Sequence, residues 1–131
     1  MTRLILCLLG LLLLPAAALA EKLALVVGMG AYAHIRPLAN SVNDARGIAD
    51  TLSQAGFEVT LMTDVPLAEV QQGLADFAFR AETADLALVY FAGHGVEVQG
   101  ENFLIPVDAK VASNLEVQAA SISLRDLEAA V

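Results

Sequence analysis

The chain has 131 residues and a formal net charge of −8, with 15 Asp and Glu against 7 Lys and Arg. That acidic balance argues against nucleic acid or an anionic membrane as a partner and is compatible with a basic one. Cys7 is the only cysteine and tryptophan is absent, which excludes a disulfide framework and a cysteine-ligated metal site within this sequence.

Arg3 is followed by the apolar run Leu4 to Leu14, then by Pro15 and a small-residue stretch ending in Ala18-Leu19-Ala20. This pattern predicts a signal peptide over residues 1–20, a mature start at Glu21, and export to the periplasm or the extracellular space. A retained N-terminal anchor is the competing reading, although the run is short against the roughly 20 residues that a membrane span needs. Cys7 lacks the small-residue context of a lipid-attachment cysteine. Removing the leader deletes Arg3 and no acid, which leaves 6 Lys and Arg against 15 acids and a mature charge of −9. No membrane association is expected after cleavage. The residues from Glu21 to Val131 suit one small domain or a piece of a larger one.

Leu23 to Val27 is a short continuous apolar run ending at Gly28, which predicts a central parallel strand. Gly28-Met29-Gly30 resembles the start of a dinucleotide fingerprint, but Ala33 stands where the third glycine would fall and Pro37 interrupts the region. The plain reading is a strand-to-loop turn. A helix is predicted from Asn40 or Ser41, with Val42, Ala45, Ala49 and Leu52 at helical spacing and Gly56 as its stop. Phe57 to Leu61 alternates apolar and polar residues, as an edge strand does.

Asp64-Val65-Pro66 predicts a second helix whose inner face is Leu67, Val70, Leu74, Phe77 and Ala78. Leu86 to Ala92 reads as a third, buried strand. Val96–Val98 and Phe103–Ile105 flank Gln99 to Asn102 as a hairpin closed by Pro106. Residues 107–120 show no period. Ser123 to Ala130 predicts a serine-capped helix with Leu124 and Leu127 inward. The β-α-β-α-β order implies an α/β fold, a mainly parallel sheet with right-handed crossovers and helices on both faces.

Two residues stand out chemically. His94 lies between Gly93 and Gly95 where the third strand breaks, and carboxyl-terminal strand ends are where open α/β sheets gather catalytic groups. An imidazole is suited to moving protons near neutral pH, while a solvent-facing turn histidine is the bland alternative. If Ser41 is the N-cap of the first helix, Asp44 completes a capping box. Asp44 would also lie on the same sheet edge as His94, where its carboxylate could receive a cationic substrate side chain.

The segments LALVVGMGAYAHIRPLANSVNDARGIADTLSQAGFEV and LALVYFAGHGVEVQGENFLIPVDA, covering Leu23 to Ala109, resemble the opening and histidine blocks of the caspase-like cysteine peptidases. The likeness is to bacterial metacaspase-like and orthocaspase-like members of peptidase family C14. The resemblance implies a three-layer αβα sandwich, here the N-terminal part of the domain and incomplete at the C-terminus. It implies that His94 is the histidine of a Cys-His dyad and that Gly95 helps hold the substrate carbonyl. Asp44, with Ser41 beside it, would border a pocket for a P1 arginine or lysine in a peptide or protein substrate.

The family's nucleophile follows its histidine by about 50 residues, which lies beyond Val131. The chain is therefore expected to be part of a longer peptidase and to be inactive as it stands. A catalytically inactive binding module is the alternative, and a flavodoxin-like small-molecule binder is a more distant one. No metal or other cofactor is implied, and the sequence leaves a calcium requirement open.

Overall fold

Five consecutive apolar residues, Leu23 to Val27, can be buried together only if both faces of their strand are covered, and the fold supplies both covers. The computed structural model describes residues 20–131. Residues 1–19 of the expected leader, with Cys7, lie outside the described residues. Lys22–Gly28 forms β1, Glu58–Thr63 forms β2 and Leu86–Ala92 forms β3. They make a parallel sheet in the order β2-β1-β3, with Val26 level with Leu61 on one side and Tyr90 on the other.

The two faces of β1 feed two layers, because successive side chains point to opposite sides of a strand. Ser41–Gln54 forms α1, whose buried Ala45 and Ala49 pack against Val26, with Leu52, Val59 and Tyr90 around them. Small residues on that helix face let α1 approach the sheet closely. A Cβ at Gly28 would stand only 2.6 Å from the Ala45 Cβ. Leu67–Ala81 forms α2, and its buried Val70, Leu74 and Phe77 meet Leu23, Leu25 and Val27 on the other face. Helices on both faces of a parallel sheet make the αβα sandwich that the sequence implied.

Two details of the first crossover differ from expectation. Asn40 is the residue before α1 and makes no side-chain cap bond. Ser41 is the first helical residue, and its buried hydroxyl donates to the Met29 carbonyl at 2.6 Å. Asp44 is then the fourth helical residue, its N–H already bonded to the Asn40 carbonyl at 2.9 Å, so the capping box does not form. Ser41 is drawn away from the cap role because its hydroxyl satisfies a carbonyl of the preceding loop. At the other end Gly56 takes φ +86° beyond the helix, as a glycine stop requires.

The third strand falls on the predicted residues but is half-buried, and Leu86 is 49% exposed. The difference is positional: β3 is an outer strand among the described residues, with β1 on one side only.

Beyond β3 a small antiparallel sheet forms from Gly95–Val98 (β4), Glu101–Leu104 (β5) and Ile122–Ser123 (β6). Positive φ at both Gln99 and Gly100, 54° and 81°, makes the β4-β5 connection a two-residue type I′ turn. Glu101 and Asn102, expected in the turn, pair instead with Val98 and Glu97. Asn114–Ala120 forms α3, which the sequence reading did not find, and Leu124–Glu128 forms α4, shorter than predicted. Both helices start on serine caps, with Ser113 accepting from the Glu116 N–H and Ser123 from the Asp126 N–H. No helix among the described residues is long and apolar enough to cross a membrane.

Candidate functional site

The carboxyl ends of β1 and β3 lie side by side, tied by the Met29 N–H donating to the Ala92 carbonyl at 2.8 Å. The loop after β1 carries Tyr32, and the turn after β3 carries His94. Parallel pairing thus delivers both residues to one sheet edge, where open α/β folds place their sites.

His94 is held at three points. Its backbone N–H donates to the Tyr32 hydroxyl oxygen at 2.7 Å. The two rings are tilted at 53° with centroids 4.8 Å apart. The Nε2 atom lies 2.8 Å from the Arg36 carbonyl oxygen. A carbonyl can only accept, so Nε2 carries the proton and Nδ1 is the basic nitrogen whenever the ring is neutral. The imidazole is therefore oriented by backbone rather than left turning in solvent.

The flanking glycines differ in role. A Cβ at Gly93 would come within 2.6 Å of the Tyr32 hydroxyl and 2.8 Å of the Phe91 ring, so this position requires glycine for closeness. Gly95 opens β4 opposite Leu104, where a Cβ would meet nothing nearer than 3.5 Å. The adjacent Ile105 N–H donates to the His94 carbonyl at 3.0 Å. Hydrogen-bonded and non-bonded pairs alternate along an antiparallel ladder, so the Gly95 N–H points away from β5 and is free of the ladder.

Tyr32 is only 6% exposed. Burial pushes its phenol above the ordinary value; the hydrogen bond from His94 opposes that rise, and the Asp64 charge adds to it.

Asp64 was read only as a helix opener, and the structure gives it a larger part. At φ +52°, its Oδ1 accepts the Gly30 N–H at 2.7 Å and the Ala31 N–H at 2.9 Å. These are the amides that a phosphate-binding turn would need, and a carboxylate occupies them. The glycines of Gly28-Met29-Gly30 serve packing instead, since a Cβ at Gly30 would lie 2.7 Å from the Leu38 carbonyl. The strand-to-loop reading of this segment holds.

Asp44 and Ser41 line one open pocket of about 340 Å³, together with Leu38, Asn40, Ala92 and Gly93. Asp44 is exposed, and neither ion pair among the described residues, Arg80–Glu58 or Arg125–Glu101, involves it. His94 and Gly95 line a second open pocket of about 300 Å³ whose walls are mostly aliphatic. Gly93 lines the first of these pockets and His94 the second. Of the four residues singled out in the sequence, Ser41 and Asp44 thus line one pocket and His94 and Gly95 another. No group of three or more His, Asp or Glu among the described residues is arranged to hold a metal ion.

Fold and site together define a doubly wound α/β domain with an oriented histidine at the carboxyl edge of its sheet. A family model described as the caspase domain, peptidase C14, matches residues 21–128, and the chain belongs to that family. It is 30% identical over 89 residues to the human mucosa-associated lymphoid tissue lymphoma translocation protein 1, a match covering 68% of this chain and 11% of the human protein. The mouse homologue matches with the same identity and coverage. The chain therefore spans about a tenth of the length of these relatives. Among solved structures, a protein from Geobacter sulfurreducens superposes with a TM-score of 0.62 at 19% identity, over 84% of this chain and 44% of that one. At that identity the likeness speaks for the fold.

Proposed function

We propose that this chain supplies the acid-base half of a cysteine endopeptidase site of the caspase type, selective for peptides with arginine or lysine at P1. The observation that carries the reading is His94, fixed through Nε2 by the Arg36 carbonyl at the sheet edge, which leaves Nδ1 for proton exchange. A cysteine thiolate attacks the P1 carbonyl carbon, and the imidazolium of His94 gives its proton to the departing amine. In the second half, His94 takes a proton from water as that water attacks the thioester, and the thiolate leaves. The described residues contain no cysteine, and the thiolate is a part of the proposed site that they do not supply.

The Gly95 N–H, free of the ladder, is available to the carbonyl oxygen as it becomes an oxyanion. Asp44 supplies the charge for a basic P1 side chain, and Ser41 contributes a wall whose hydroxyl is committed to Met29. The test is cleavage of fluorogenic peptides by the full-length protein. Arginyl and lysyl substrates are expected to be cut, with Asp44→Asn lowering that activity selectively. Preferential cleavage after aspartate would overturn the Asp44 assignment. Peptide binding without hydrolysis would identify an inactive caspase-fold module instead.

Export accounts for the apolar N-terminal stretch, and N-terminal sequencing of the exported product is expected to begin at Glu21. Retention of residues 1–20 in the mature protein would refute this.

A further inference from the structure

We propose that Asp64 is a positioning residue for His94: its carboxylate closes the neck of the loop that holds the imidazole, and so sets where Nδ1 stands for proton transfer. The inference rests on the peptidase reading for its kinetic consequence and on bonds within this chain for its geometry.

The loop between β1 and α1 supplies both holds on His94. The Tyr32 hydroxyl accepts the His94 backbone N–H at 2.7 Å, and the Arg36 carbonyl oxygen lies 2.8 Å from Nε2. Residues 32 and 36 must keep their places for the ring to keep its direction. Those places depend on the neck, where the Gly30 carbonyl accepts both the Tyr32 N–H and the Leu38 N–H at 3.0 Å. The amide side of the neck belongs to Asp64. Its Oδ1 accepts the Gly30 N–H at 2.7 Å and the Ala31 N–H at 2.9 Å, while its own N–H donates to the Gly28 carbonyl at 2.9 Å.

Asp64 follows β2, and β1 lies between β2 and β3, so its route to His94 runs through the loop. The bonds trace that route from Asp64 to Gly30, from Gly30 to Tyr32, and from Tyr32 to His94. Asp64 also keeps φ +52°, a left-handed conformation uncommon in residues with a side chain. Such an outlier persists where the surroundings hold it and is concentrated beside functional groups. Two further bonds steady the loop, from the Ala33 N–H to the Val107 carbonyl at 2.8 Å and from the Ser41 hydroxyl to the Met29 carbonyl at 2.6 Å. Loss of the Asp64 carboxylate should therefore loosen the ring rather than release it.

The experiment compares Asp64→Gly and Asp64→Asn in the full-length protein. Glycine and asparagine both accept positive φ, but only asparagine offers an oxygen to the two amides. Asp64→Gly is expected to lower kcat on an arginyl fluorogenic peptide about tenfold per folded molecule with KM within about twofold, because a displaced base slows the chemical step and leaves binding intact. Nitrogen-15 NMR of the imidazole, assigned against His94→Ala, should show the Nε2–H tautomer in the parent and a mixture of tautomers in Asp64→Gly. Asp64→Asn should recover most of the rate and the single tautomer. Should Asp64→Gly not fold, Asp64→Ser, which keeps one shorter acceptor, is read in its place with the same expected direction.

A purely stabilising Asp64 would lower Tm in Asp64→Gly yet leave kcat per folded molecule and the ring signals at their parent values, and that result overturns the proposal. So does an Asp64→Asn variant as impaired as Asp64→Gly. If the parent hydrolyses no peptide, the peptidase reading fails, and the tautomer of His94 in the two variants still decides the positioning role of Asp64.

Discussion

Tyr32→Phe isolates the support beneath His94. The substitution keeps the ring that lies 4.8 Å from the imidazole and removes only the oxygen that accepts the His94 N–H at 2.7 Å. With Tyr32 6% exposed, water cannot easily take the hydroxyl's place, and a partly buried amide is left without a partner. Such a loss costs about 1–3 kcal/mol. For a domain of this size each kcal/mol lowers Tm by roughly 4–8 °C. Urea and thermal unfolding followed by circular dichroism would read the change, with the His94 amide resonance reporting the local effect. Tyr32→Ala should cost about 2–3 kcal/mol more, since it also empties the ring's place. A Tyr32→Phe variant as stable as the parent, with an unmoved His94 amide, would refute this account of the support.

The raised phenol pKa of Tyr32 predicts an alkaline limit of stability. The unfolded phenol titrates near 10.0 and the buried one higher, so the contribution is fully present below pH 10 and is lost as pH rises from there through the folded value. Tyr32→Phe should flatten that limb of the stability–pH curve. Asp64→Ala removes the acceptor shared by the Gly30 and Ala31 N–H groups and should cost about 1–3 kcal/mol in urea unfolding. In the opposite direction, Gly47 sits inside α1 with open space where a Cβ would stand. Gly47→Ala should therefore stabilise the domain by about 0.5–1 kcal/mol, read as a rise in Tm.

The alternation of strands and helices through Ala92 was legible because each element carries its own signal. Leu23 to Val27 is apolar on both faces, α1 and α2 keep helical spacing, and Gly56 and Pro66 punctuate them. The α3 helix escaped because it buries only Val117 and exposes Leu115 at 75%, so no apolar period exists to be read. A signal was nonetheless present in Ser113-x-x-Glu116, where the serine caps the Glu116 N–H and the glutamate accepts the Ala112 N–H at 2.9 Å. The two-residue β6 exists only because Leu104 and Phe103 are there to pair with it.

At the site, His94 and Asp44 were visible as residue types at a strand end and a helix start. Tyr32 and Asp64 were not, because their roles come from contacts 62 and 33–34 residues away in sequence. The pairing of Gly95 was not legible because a glycine next to a turn histidine looks the same in sequence whether it turns or pairs. Its place in β4 is set by the hairpin that follows.

The claim that His94 moves protons for peptide hydrolysis is tested most directly by kcat/KM of the full-length protein and its His94→Ala variant on an arginyl fluorogenic peptide. Loss of an acid-base group predicts a fall of about 10²–10⁴, with unfolding by urea unchanged to within about 1 kcal/mol because the backbone bonds at position 94 remain. Turnover by His94→Ala equal to that of the parent would contradict the account.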